Sequence, residues 1–396
     1  METSIAGRSR SVILLPAGIA ALDALSLSLI LPLVPFFAMR FGASPVAITA
    51  MVAVYGAAGL VGAPLLGRIS DFVGRKPVIL LCLCGMALAN FVMFYAGSLV
   101  VVFFARALAG AMSSNITILE ALVADNTTPE ARTSGMAMLG FAGAAGLVLG
   151  PLAGGLLAGS GAESSARLTF AVAGATCLVA VVALLVVWNM TTDRTSRDRR
   201  PPGKWRQIVH AVMANRTLLG LNLCAFVVQY VVLTTMSVTA LWTHYRFGFG
   251  PREVGVIVAM CATGMIAAQV LLMMGLLRSV PAAVTLPAAF MMSAAALLFL
   301  VLAPRSALVF PGFFLLYCGL GTAIPVVTSA VSSAAPDDEQ GTILGVMNAV
   351  KGGAEIAAPI AAGIVFTAFS ISAPFLLAAA LLVGGTLLFA LSTRRK

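Results

Sequence analysis

An all-α membrane fold, with twelve transmembrane helices in two pseudo-symmetric six-helix halves, is predicted by three features of this sequence. Of its 396 residues 60% are hydrophobic and only 10% are charged, too little polar surface to cover a water-soluble globule of this size. Apolar runs of about 20 residues, the length that crosses a hydrocarbon core as a helix, recur twelve times: at about 12-36, 46-67, 77-95, 99-124, 134-158, 168-189, 217-243, 254-275, 281-303, 306-332, 342-366 and 371-391. A single long polar stretch, 191-216, interrupts them; its charges and Pro201-Pro202-Gly203 are typical of a linker, and it divides the chain into halves 1-190 and 217-396.

The even number of spans puts both termini on one side of the membrane. Of 24 Lys and Arg residues, 17 fall on that side, five on the other and two, Arg106 and Lys351, inside spans; this imbalance makes the terminal side cytoplasmic. The formal charge of +10 is thereby explained by membrane topology, and nucleic acid is not expected as a partner.

Taken in order, the chain begins with Arg8 and Arg10 before an apolar run too long for the core of a cleaved signal, so this run is read as a retained span. Near its middle is Asp23, followed at nine and twelve residues by Pro32 and Pro35. The second and third spans are joined by Gly67-Arg68-Ile69-Ser70-Asp71-Phe72-Val73-Gly74-Arg75-Lys76-Pro77. Three cations and a carboxylate cannot sit in hydrocarbon without heavy cost, so this turn belongs in water or at a protein seam.

The fourth span carries Arg106-x3-Gly110, then Asn115, Glu120 and, at its end, Asp125. On an unbroken helix Asn115 lies half a turn round from Arg106, so it is expected to pack or to meet a neighbouring helix. Glu120 is open between structural pairing and a place in the cavity. The fifth span contains Gly146-Leu147-Val148-Leu149-Gly150-Pro151-Leu152-Ala153-Gly154-Gly155, where glycines four apart permit close helix approach and Pro151 removes a donor.

In the second half, Gln229 and Gln269 are polar residues inside the seventh and eighth spans. Gly275-Leu276-Leu277-Arg278-Ser279-Val280-Pro281 reads as a degraded copy of the loop between spans two and three. Lys351 and Glu355, four apart on the eleventh span, form either a self-neutralised pair or a second proton or cation site with Lys351 beside it. A weak repeat supports the two halves: Pro129 to Gly155 lines up with Pro336 to Gly363 about 208 residues later.

The spacing Gly-x3-Asp-x2-Gly-Arg-Lys at Gly67 to Lys76 closely resembles the loop 2-3 signature of the major facilitator superfamily. The first span resembles that of the tetracycline-type drug/proton antiporters of this group. Arg106 and Gly110 match its fourth-helix motif, with Ala109 where a Gln is usual, and Gly146 to Gly155 resembles its antiporter motif, with Ala137 replacing an earlier Gly. The resemblance implies a cavity between the two halves and a role near proton transfer for Arg106, for which a structural anchor is the other reading. It also implies pairing of Asp125 with Arg75 and placement of Asp71 at the start of the eleventh span, together a latch on the cytoplasmic side. Phe72 stands where the family usually has a basic residue.

Burial favours the neutral form of a carboxyl, which is what a proton carrier needs, so Asp23 is the expected proton site, with Arg106 and Glu355 as further coupling residues. Asn115, Gln229, Gln269 and Lys351 are expected to line the cavity. The six cysteines all lie in apolar runs without metal-type spacing, the two histidines form no cluster, and no phosphate-binding Gly-x4-Gly-Lys-Ser/Thr loop is present. The expectation is therefore a protein that is no enzyme and uses no cofactor or metal: a monomeric, proton-coupled exporter of small amphipathic or drug-like molecules, embedded in a bacterial-type inner membrane. A dedicated metabolite exporter, an uptake symporter and a non-transporting receptor are the alternatives.

Overall fold

The computed structural model describes residues 2–159, 163–188, 212–274, 280–336 and 339–393. Most of the linker expected at 191-216 and the degraded motif from Gly275 to Ser279 lie outside the described residues, as do the side chains of Arg8 and Arg10. Within the described residues the chain is built of helices: α1 (Glu2–Ile30), α2 (Val34–Met39), α3 (Pro45–Val73), α4 (Arg75–Phe94), α5 (Leu99–Ala111), α6 (Asn115–Asn126) and α7 (Pro129–Ala158). They continue as α8 (Glu163–Val187), α9 (Arg216–Phe247), α10 (Pro251–Met273), α11 (Ala282–Leu302), α12 (Val309–Ala334), α13 (Gln340–Ala368) and α14 (Ala373–Thr393). Twelve segments are long and apolar enough to cross a membrane, α1 with α2 forming one and α5 with α6 another. This is a multi-pass membrane protein.

The two broken spans have local causes. In the first, Pro32 supplies no N–H and Pro35 sits in the first turn of α2, so the helix ends at Ile30 and restarts at Val34. In the fourth, the Ser113 N–H and hydroxyl both donate to the Gly110 carbonyl, at 3.1 and 2.7 Å, tightening the last turn of α5. The start of α6 then follows at Asn115. Between α3 and α4 the chain turns at Gly74, whose φ of 111° is closed to residues with a Cβ. That conformation accounts for the second glycine of the charged loop.

The chain divides into two compact units: Met1–Ala43 with Val54–Arg199 and Gly250–Ala259, and Ser44–Ala53 with Arg200–Phe249 and Met260–Lys396. The first unit packs α1 on α7 and α8, and α4 on α8 and α5. The second packs α9 on α13 and α14, and α11 on α14 and α12. Counted in spans, the pairs one–five, one–six, three–six and three–four recur as seven–eleven, seven–twelve, nine–twelve and nine–ten. The repeat seen weakly in the sequence is thus a repeat of neighbour relations.

Arginines fasten the same position in each unit. Arg167 on α8 donates to the Phe94 and Ala96 carbonyls at 2.5 and 3.2 Å, closing the end of α4. Arg246 on α9 donates to the Val301 and Ala303 carbonyls at 2.7 and 3.0 Å, closing the end of α11, and lies over the Trp242 ring at 5.2 Å. Cations at helix C-termini satisfy carbonyls that the helix itself leaves open.

Candidate functional site

Asp23 sits on α1 in the first unit, and its Oδ1 accepts a 2.8 Å hydrogen bond from Asn115 Nδ2 on α6. Asn115 is fully buried, and its own Oδ1 has no hydrogen-bond partner among the described residues. Asn115 therefore meets the neighbouring helix, as expected, and the break between α5 and α6 removes the straight-helix register on which its angle to Arg106 was reckoned. Among the described residues no cation pairs with Asp23: the ion pairs found there both belong to Arg75. A carboxyl held by a neutral amide can be protonated without stranding a buried positive charge.

The glycines of the fifth span hold this carboxyl's helix in place. A Cβ at Gly146 would lie 2.5 Å from the Ala21 carbonyl oxygen and 2.8 Å from the Leu25 nitrogen; one at Gly150 would lie 2.9 Å from the Leu25 oxygen, and one at Gly154 would lie 2.8 Å from the Leu29 carbonyl carbon. All three abut α1, so the stripe allows backbone-to-backbone contact with the helix that carries Asp23. Ser28 fastens the same seam, donating to Ala24 O at 2.7 Å and Gly146 O at 2.9 Å. Gly155 faces elsewhere, since a Cβ there would lie 3.0 Å from Pro251 O and 3.2 Å from Arg252 Cα, while Pro151 lies within α7, where the Pro151 carbonyl abuts the position of a Cβ at Gly255. Deeper in the unit, Ser26 gathers a buried group: its hydroxyl donates to Ala173 O at 2.8 Å and receives Asn90 Nδ2 at 3.2 Å and Cys177 Sγ at 3.0 Å.

Arg106 on α5 is 5% exposed, and among the described residues its Nε and Nη1 have no hydrogen-bond partner. Its guanidinium lies 4.6 Å from the centre of the Tyr55 ring on α3. Gly110, one turn further on, lets the Tyr55 backbone approach: a Cβ there would lie 2.9 Å from Tyr55 C and Cα. The sequence motif thus serves two functions, with glycine giving passage to the stretch of backbone whose aromatic side chain covers the arginine.

The charged loop forms its own network. Arg75 Nη1 reaches Asp71 Oδ1 at 2.6 Å and donates to Ser70 Oγ at 2.7 Å, while Arg75 Nε reaches Asp125 Oδ2 at 3.4 Å. The structure therefore brings together Arg75 and Asp125, as the sequence led us to expect, and adds Asp71 to the same cation. Gly67 supplies the carbonyl to which the Ser70 hydroxyl donates, at 2.7 Å. Sequence reasoning missed Lys76: it is 4% exposed, donates to the Trp188 carbonyl at 2.6 Å and lies 5.7 Å from the centre of that residue's ring. A Lys directly after the loop arginine, in register with a Trp at the end of the sixth span, was the available signal.

In the second unit, Glu355 on α13 accepts from Gln229 Nε2 on α9 at 3.4 Å. Glu355 and Lys351 are both half-buried, yet no ion pair forms between them. The self-neutralised pair is replaced by a neutral amide on the acid, the same pairing type as Asp23 with Asn115. Gln269 on α10 is exposed. Glu120 is exposed on α6 and forms no ion pair among the described residues; since a carboxylate facing hydrocarbon costs about 3 kcal/mol, a water-lined face suits it.

A family model described as Major Facilitator Superfamily matches residues 17–359. The tetracycline resistance protein, class D, of Salmonella ordonez is 26% identical over 356 residues, 88% of each chain. The class H protein of Pasteurella multocida is 27% identical over 246 residues, and that match spans 61% of this chain and 60% of the relative's length. Among solved structures, a bacterial homolog of the human lysosomal transporter Spinster, in an inward-facing and unoccupied conformation, matches with a TM-score of 0.76 at 15% identity, covering 97% of this chain and 95% of the other. At that identity the match speaks to fold.

Proposed function

We propose, because the chain belongs to the Major Facilitator Superfamily, that this membrane transporter is a proton-coupled antiporter exporting small amphipathic or drug-like molecules by alternating access. The observation that carries the reading is the membrane-embedded Asp23, bonded to a neutral amide instead of a cation. Asn115 suits both forms of the acid: its NH2 donates to the carboxylate, and on turning over its carbonyl accepts from the protonated acid. Protonation and the arrangement of α1 against α6 are thereby linked, and the two states must differ in affinity for proton and substrate if one flux is to drive the other.

Relatives named for tetracycline resistance support a drug-like substrate, and the glycine stripe at Gly146, Gly150 and Gly154 supports export. Arg75, Asp71 and Asp125, with Gly67 and Gly74 shaping their turn, act as the conformational latch. Arg106 and Glu355 take part in coupling, and Gln229, Gln269 and Lys351 contribute polar groups to the substrate path. The working unit is a monomer of halves 1-190 and 217-396 in an inner membrane, with cytoplasmic termini. Translocation, with no covalent step, is its work.

The test is efflux of a lipophilic fluorescent dye from cells stripped of their own exporters. Expression should speed dye exit, and a protonophore should abolish the difference. Faster exit that survives collapse of the proton gradient would refute proton coupling.

A further inference from the structure

Arg106 is a cation that its surroundings leave incomplete. It is 5% exposed, and no carboxylate among the described residues comes within ion-pair distance of it. A guanidinium cannot escape by losing its proton. The Tyr55 ring, 4.6 Å from its central carbon, offers a negative face to one side of the plane. It gives nothing to the N–H groups, which point outward in the plane. Nε and Nη1 are both buried and unpartnered, so each of the two guanidinium edges that can receive a carboxylate side by side holds an open donor.

The surroundings also indicate what the missing group is attached to. Val102, Ala105 and Ala109, the buried residues flanking Arg106 on α5, have no side-chain donor or acceptor. Among the described residues, the one side chain recorded against the guanidinium is the aromatic ring of Tyr55. A small, strongly hydrated inorganic ion would give up its water there for the single guanidinium. A planar oxyanion on an apolar body fits both halves of the site.

We infer that Arg106 and Tyr55 form an anion subsite in the first unit, which binds the carboxylate of an organic compound with its apolar body against the ring. The subsite deepens the transport reading by giving the transported molecule an acidic group. It rests on that reading only for the identity of its occupant, and its binding can be measured without transport, so the two can fail separately.

The experiment is thermal unfolding of the purified protein in detergent, titrated with benzoate and with its uncharged analogue benzamide. Benzoate should raise the midpoint of the wild type saturably, and benzamide should not. Arg106→Gln should weaken the benzoate response about tenfold or more, as expected for loss of a charge-assisted hydrogen bond. Arg106→Lys, which keeps the charge without the fork, should retain part of it. Should Arg106→Gln fail to fold, Tyr55→Leu decides: it leaves the cation in place and should still lower benzoate affinity. Equal responses to benzoate and benzamide, or wild-type benzoate affinity in Arg106→Gln or Tyr55→Leu, would overturn the subsite. A chloride titration that reproduces and blocks the benzoate effect would overturn the organic carboxylate in favour of an inorganic ion.

Discussion

Replacing Gly146 by alanine puts a methyl group into the seam that positions Asp23. The added Cβ would stand 2.5 Å from Ala21 O and 2.8 Å from Leu25 N, against ordinary contacts that begin at 3.4 Å, so α1 must retreat from the Ala21 oxygen by about 0.9 Å. Both obstructing atoms are backbone and cannot rotate away. Overpacking of this kind costs about 1–3 kcal/mol, and an unyielding backbone places Gly146→Ala near the upper end. The same substitution gains about 1 kcal/mol of helix propensity. Gly143, on the same helix, isolates the two effects, because a Cβ there meets nothing within 4 Å. Gly143→Ala should therefore keep only the propensity gain, and the difference between the variants should approach the steric cost alone, about 3 kcal/mol. Thermal unfolding in detergent should show Gly146→Ala melting below the wild type and Gly143→Ala at or above it. Proton-coupled efflux should fall in the first variant, because a retreat of about 0.9 Å is enough to strain the 2.8 Å bond between Asp23 and Asn115. Equal melting of the two variants would refute the claim that this glycine exists to admit α1.

Lys76→Met should destabilise the first unit by about 1–3 kcal/mol, since it strips the Trp188 carbonyl of its 2.6 Å donor; a melting temperature unchanged from wild type would show that water replaces the ammonium. Arg246→Met removes two hydrogen bonds to the end of α11 and the contact with Trp242, and should lower thermal stability by about 2–3 kcal/mol; wild-type melting would count against the cap. Arg75→Ala releases Asp71, Asp125 and Ser70 together. With Asp71 45% exposed, each pair is worth about 0.5–1 kcal/mol, a two- to fivefold change in a conformational equilibrium. Labelling of single cysteines placed near the loop should report that change in rate, and identical labelling in both proteins would remove the latch.

The twelve spans were legible because a run of about 20 apolar residues has few other uses. The breaks within spans were less accessible. Pro32 and Pro35 announced the first, but the second depends on Ser113 turning its hydroxyl to the Gly110 carbonyl, a choice that apolar periodicity does not register. That break decides where Asn115 points. For the loop, the resemblance to the superfamily's loop 2-3 signature implied Arg75 beside Asp125, and the pair is present. For Lys351 and Glu355 the sequence left two readings open: four residues of separation permits a pair on one face, while the structure satisfies the acid from α9 through Gln229. Tyr55 over Arg106 could not be read from the sequence at all, since an aromatic residue in a membrane helix has too many other roles.

The central claim is that Asp23 carries the proton whose movement drives export. Its most direct test is purified protein in liposomes under an imposed pH gradient, following internal pH as candidate compounds are added to wild type and to Asp23→Asn. The substitution keeps the shape of the side chain and its place beside Asn115 while removing the titratable group. The account predicts substrate-triggered proton movement in the wild type and none in the variant. Proton movement that persists undiminished in Asp23→Asn would contradict it and turn attention to Glu355.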